Sequence, residues 1–147
     1  MIEQEFKKYY EAEIENLNKV LNEIKKIREF RPKELDNIKI AASGTFLHNF
    51  YNGIENVLKR ALLAKGIRIK NGASWHKKVL IQAKNLNIIT EELHMKLLPY
   101  LTFRHYFVHG YSFKLIPSEV MVLLKDAEAA FCEFRGVVEK AFNLTKY

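Results

Sequence analysis

The segment FRHYFVHGY, residues 103–111, places one arginine, two histidines and two tyrosines within nine residues. An imidazole that titrates near neutrality can take the proton from a ribose 2′-hydroxyl or give one to a departing 5′-oxygen. A guanidinium presents a planar fork of donors that fits phosphate oxygens and offsets charge building on them. A 2′-hydroxyl acting as internal nucleophile needs no metal ion. These residue types therefore suit phosphoryl transfer from RNA, with Arg104 and His109 as the catalytic pair. One histidine is thin for both proton transfers, and a twofold dimer would bring a second Arg–His set across the interface. A buried arginine paired with a carboxylate, together with a histidine closing a helix, explains the same spacing. Spacing alone leaves both readings open.

A helix must carry these side chains. At about 100° per residue, His105 and His109 share a face, and Arg104 falls in line with Leu93, Leu97, Tyr100 and Val108. A guanidinium on that apolar stripe needs a partner or a wet cleft, because an unpaired buried charge is costly. Glu55, beside Ile54 and Leu58 on an otherwise apolar helix face, is the carboxylate expected to pair with it. His109 stands next to Gly110, where the helix can unwind and let the ring swing towards Arg104.

The rest of the chain reads as helices joined by short breaks. The first spans about 3–30, with Phe6, Tyr10, Ile14, Leu17, Val20 or Leu21, Ile24 and Ile27 at steps of three and four. Pro32 ends it or starts the next element. The second spans about 34–65, carries the stripe Leu35, Ile38, Ala42, Phe46, Phe50, Ile54, Val57, Leu58 and Leu62, and closes at Gly66. After the loop GIRIKNGAS, Ser74 is the expected N-cap of a third helix at about 75–86. Thr90 caps a fourth that reaches His109, stops at Gly110 and kinks at Pro99. Pro117 opens a fifth, to about 143. The expectation is an all-α, up-and-down bundle of about five helices, in a single domain over 1–147.

Composition agrees. Hydrophobic residues make up 48% and charged residues 28% of the chain, a globular balance, and 6 Gly and 3 Pro weigh against a turn-rich β architecture. The lone cysteine, Cys132, excludes an intrachain disulfide and a cysteine-cluster metal site, and is expected as a small inert core residue. There is no run of 18 apolar residues, so no membrane span is expected, and the charged N-terminus does not read as a signal peptide. A cytoplasmic location follows as an expectation. The net charge of +7 concentrates in the middle: residues 66–87 carry five Lys/Arg (Arg68, Lys70, Lys77, Lys78, Lys84) and no acid. Such a patch attracts polyanions, and Lys77, Lys78 and Lys84 could guide RNA. A solvated face is the plainer reading of the same charges. No histidine pair has carboxylate company of metal-ligand type, so neither metal nor cofactor is expected, and His48 and His94 read as surface or core residues.

Arg104, the polar His105 directly after it and His109 beyond four intervening residues resemble the Arg-x(4–6)-His signature of HEPN domains, and Tyr111 completes the Arg-x4-His-x-Tyr form of the HepT-like ribonuclease toxins of prokaryotic toxin–antitoxin pairs. The stretches FYNGIENVLKRAL, with Tyr51 and Glu55, and GASWHKKVL, with Trp75 and His76, are similar to HepT-like chains as well. The resemblance implies a metal-independent endoribonuclease that works as a homodimer. Arg104 and His109 would be its catalytic pair, and His105 the polar residue that shapes the site. It also implies a partner, a nucleotidyltransferase antitoxin of the MNT type, that silences the toxin by transferring AMP to Tyr111. The alternative within the same family is a non-catalytic subunit that docks to a nucleotidyltransferase and presents substrate or nucleotide to it.

Overall fold

A computed structural model describes residues 2–70, 72, 74–110 and 115–144. Five α-helices follow one another: α1 (Ile2–Ile27), α2 (Asn37–Ala64), α3 (Trp75–Asn85), α4 (Glu91–Val108) and α5 (Pro117–Ala141), with a 3-10 turn at Pro32–Glu34. No strand occurs among the described residues, and the architecture is the expected all-α bundle. None of the described helices is long and apolar enough to cross a membrane.

The helix α2 is central and packs against each of the other four. Its stripe is buried at Leu47, Phe50, Tyr51, Ile54, Val57, Leu58, Ala61 and Leu62. The α1 stripe Phe6, Tyr10, Ile14, Leu17, Leu21, Ile24 and Ile27 closes onto it, and the 3.6-residue period puts Leu21 rather than Val20 in the core. Gly53 lets α1 approach closely: a Cβ there would lie 2.5 Å from Leu17 Cδ2.

Several ends and faces differ from expectation. Helix α1 stops at Ile27 rather than near residue 30, and Pro32 starts the next element, the 3-10 turn, the second of its two expected roles. Asp36 then caps α2, its carboxylate accepting from the Lys39 N–H at 2.9 Å. That start turns Ile38 outward, 80% exposed, and Ile40 takes the core position. Cys132 is exposed rather than buried, because the α5 stripe runs through Leu124, Ala127, Phe131, Phe134 and Val138, one step off. Thr90 caps α4 as expected, accepting from the Leu93 N–H at 3.1 Å. Ser74 holds the N-cap position of α3 without a side-chain cap bond, its backbone being outside the extended conformation that lets a cap side chain reach back. Helix α4 continues through Pro99 to Val108, and Gly110, at φ +81°, ends the helical path in the left-handed conformation that glycine adopts without strain.

Candidate active site

The α4 stripe is buried at Leu93, Leu97 and Tyr100, then changes character. Phe103 takes the core, Arg104 is half-buried between helices, and Val108, expected on the same stripe, is exposed beyond the end of the core. From α4 the Arg104 side chain crosses to α2, where its Nε donates to Asn52 Oδ1 at 2.8 Å. The Asn52 amide nitrogen lies 3.4 and 3.3 Å from the two ring nitrogens of His48, one turn earlier. The near-equal distances place it beside the ring, not in line with one lone pair. His48 in turn tilts against Phe107 of α4, centroids 5.6 Å apart. Phe107 lies over Gly44, where a Cβ would be 2.6 Å from its Cε1.

Gly44, His48 and Asn52 thus form one face of α2 at steps of four, and Arg104 and Phe107, three apart, form the facing stripe of α4. Burial, and also the Arg104 charge, push the His48 pKa below the ordinary histidine value, against an opposing hydrogen bond with Asn49. Of the Arg104 guanidinium nitrogens, only Nε has a hydrogen-bond partner among the described residues. Its terminal nitrogens have no hydrogen bond or ion pair with any described residue. Arg104 and His105 line a cleft of about 450 Å³ between α3 and α4, together with Ser74, His76, Lys77 and His94.

His109 is the C-cap of α4, its N–H bonded to the His105 carbonyl at 3.2 Å. Its exposed ring sits 4.2 Å, centroid to centroid, from that of His105. No hydrogen bond joins it to Arg104. The structure therefore places the two expected catalytic groups on adjacent turns, the guanidinium anchored on α2 and the imidazole free at the helix end.

The expected Glu55–Arg104 pair does not form. Glu55, 2% exposed, faces α3, and its Oε1 meets His76 Nδ1 at 2.7 Å. The side chain three residues after Asn52 on α2 points towards the N-terminus of α3, leaving the neutral Asn52 amide in the place nearest the guanidinium. The second Glu55 oxygen and the Tyr51 hydroxyl are both buried without a hydrogen-bond partner of ordinary geometry among the described residues. Burial, and then the Glu55 charge, raise the Tyr51 pKa well above the usual phenol value, while Arg104 opposes the rise. Glu55, Tyr51 and Arg104 thus share one electrostatic neighbourhood without an ion pair.

Of the candidate RNA-guiding lysines, Lys77 lines the cleft, Lys78 is exposed outside its lining, and Lys84 pairs with Glu91 at 3.3 Å. Trp75 packs its ring on His76 at 3.6 Å and receives the Lys59 ammonium on its face. His94 is buried, its Nδ1 without a hydrogen-bond partner among the described residues, and lines the cleft. Tyr111 lies outside the described residues. Sequence reasoning missed Asn52 and the Glu55–His76 link. The available signal was the interruption of the apolar α2 run by Asn52 and Glu55 in FYNGIENVLKRAL.

An all-α bundle carrying an Arg–His pair at the end of its fourth helix defines a class, and comparison with known families narrows it. The HepT-like protein family matches residues 42–144, a stretch that includes α3, α4, α5 and every site residue named above. With well over half of its length matched, the chain belongs to the HepT-like, HEPN-type family. No curated protein and no solved structure matches it significantly.

Proposed function

We propose that the chain is the ribonuclease toxin of a toxin–antitoxin pair, which cuts RNA by attack of a ribose 2′-hydroxyl at Arg104 and His109. The observation that carries this reading is the half-occupied guanidinium. Asn52 holds the Arg104 Nε, which fixes the plane of the fork, and both terminal nitrogens remain for phosphate oxygens. In the reaction the 2′-oxygen forms a bond to phosphorus and loses its proton, and the bond from phosphorus to the 5′-oxygen breaks as that oxygen gains a proton. The products are a 2′,3′-cyclic phosphate and a 5′-hydroxyl. Arg104 stabilises the charge that collects on the non-bridging oxygens, and His109 transfers one of the protons. His105, its ring tilted against that of His109, shapes the mouth of the cleft, and Lys77 and Lys78 add positive potential beside it. No cofactor takes part in this chemistry.

An apolar groove between α4 and α5 supports pairing of two copies. It holds about 680 Å³ and is lined by Met95, Leu98, Pro99, Phe103, Ile116 and Val120, of which Met95 and Ile116 are more than half exposed. A homodimer formed along α4 would bring two Arg–His sets near each other. The silencing partner in this reading is a nucleotidyltransferase that adds AMP to Tyr111, two residues past His109. A phosphate there would occupy the free nitrogens of Arg104. A non-catalytic, phosphate-holding partner of such an enzyme is the second reading. One observation favours it: no hydrogen bond orients the His109 ring among the described residues.

The test is cleavage of a defined RNA by purified protein in EDTA, with end-group analysis. Cyclic 2′,3′-phosphate ends that disappear in His109→Ala and Arg104→Ala establish the enzyme. RNA that is bound but left intact by the wild-type chain establishes the second reading instead.

A further inference from the structure

The Glu55–His76 contact has the geometry of an oriented proton-transfer group. Glu55 comes from α2, is 2% exposed and presents Oε1 to His76 Nδ1 at 2.7 Å. A carboxylate only accepts, so Nδ1 carries the ring proton in the neutral imidazole, and Nε2 keeps its lone pair. Nε2 has no hydrogen bond among the described residues. The ring is 21% exposed and lines the same cleft as Arg104 and His105. Trp75 backs it at 3.6 Å. A carboxylate that fixes the tautomer of a histidine lining an open cleft is the arrangement by which a catalytic triad readies its imidazole to accept a proton.

We infer that His76 is a second catalytic histidine, the base that takes the 2′-hydroxyl proton, and that Glu55 is its positioning residue. The inference rests on the ribonuclease reading and completes its proton balance within one chain. His76 Nε2 accepts the 2′ proton while the oxygen–phosphorus bond forms. His109 supplies a proton to the 5′-oxygen as its bond to phosphorus breaks. The imidazolium formed on His76 is held against the Glu55 carboxylate. The charged and titratable groups around the ring are Glu55 and, through it, Tyr51 from α2, Lys59 above Trp75, Lys77 on its own helix, and His94, Arg104 and His105 across the cleft.

A purely structural Glu55–His76 tie between α2 and α3 is separated from a catalytic one by His76→Asn. The Asn amide nitrogen takes the place of Nδ1 and keeps the bond to Glu55, while the titrating nitrogen is lost. On an RNA that the wild type cleaves, His76→Asn is expected to lose about 10²–10⁴-fold in kcat, the range of general base catalysis, with KM little changed. The acidic limb of its pH–rate profile should vanish. A substrate with a 5′-bridging sulfur, which departs without a proton, should restore His109→Ala and leave His76→Asn defective. Glu55→Gln, tested in the same profile, should move the acidic limb whether or not the Asn variant folds as stably as wild type. Retained activity and an intact acidic limb in His76→Asn, or an unmoved limb in Glu55→Gln, overturns the inference alone. A wild-type chain that cleaves no RNA overturns it together with the reading beneath it.

Discussion

The Arg104 side chain is held to Asn52 by one hydrogen bond of 2.8 Å, made through Nε and reaching from α4 to α2. This single bond sets which donors remain. Had Asn52 been a carboxylate, a bidentate pair would have taken two nitrogens and neutralised the charge. A neutral amide anchors the guanidinium and leaves its charge and its fork to a ligand.

Removing the anchor should therefore harm function more than fold. Asn52→Ala is expected to cost about 1 kcal/mol of stability, the usual net worth of one such bond. Because the guanidinium loses its fixed plane, kcat/KM on RNA should fall about 10²-fold. Asn52→Asp keeps the acceptor but sets a negative charge beside the proposed phosphate site, so it should raise KM. Steady-state kinetics with urea melts of the three proteins check this. Equal activity in all three would show that the anchor is idle.

Arg104→Lys tests the fork itself. Lysine keeps the charge as a point without the planar donor pair, and the Asn52 bond to Nε goes with it. We expect kcat to drop about 10²–10³-fold, comparable to deleting a transition-state donor. Thermal stability should fall only by the worth of the lost Asn52 bond, about 1 kcal/mol, because the terminal nitrogens have no described partner to lose. Kinetics and a melting curve on one sample separate the two effects.

Two glycines should respond in opposite directions. At Gly53 a Cβ would meet Leu17 at 2.5 Å from Cδ2 and 2.9 Å from Cγ, at the α1–α2 contact. Overpacking there costs about 1–3 kcal/mol, more than the ~1 kcal/mol that alanine returns through helix propensity. Gly53→Ala should lower the urea midpoint. Gly136, inside α5, has open space where its Cβ would go and no positive φ. Gly136→Ala should raise the midpoint by an amount equivalent to about 0.5–1 kcal/mol, with RNA cleavage unaffected.

The helices were legible because their apolar residues repeat with the helical period, and burial follows that period at Phe6, Tyr10, Ile14, Leu17, Leu21, Ile24 and Ile27. Ile38 was misplaced because one capping residue, Asp36, sets the start of α2 and with it the phase of the first turn. The Arg104–His109 spacing was visible within one segment. Its anchors were not, because Asn52 lies 52 residues away in sequence and only the packing of α2 on α4 joins them. Charge complementarity alone favoured Glu55 as the partner of Arg104. The approach of α3, whose first turn carries His76, gave that carboxylate a different neighbour.

Alkaline pH should unfold the bundle through three tyrosines. Tyr10, Tyr51 and Tyr100 all have pKa values raised above the phenol value of 10.0, in each case first by burial. Carboxylates add to the rise: Glu139 beside Tyr10, Glu55 beside Tyr51 and Asp126 near Tyr100. A raised pKa means that the folded state keeps a proton that the unfolded chain gives up. The stabilising contribution is therefore complete below about pH 10 and is lost as pH rises beyond it. Each such tyrosine adds a slope of about 1.4 kcal/mol per pH unit. Urea melts from about pH 8 to 11.5 should show a plateau and then a steep fall, with tyrosinate absorbance from these rings appearing only with unfolding. Tyr100→Phe loses the hydrogen bond to the Leu123 carbonyl, 2.7 Å in the wild type, so it should be less stable at neutral pH by about 1 kcal/mol. Its alkaline fall should nevertheless be shallower, because one fewer proton is at stake. An equally steep fall in the variant would mean that Tyr100 ionises as readily in the folded chain as in the unfolded one.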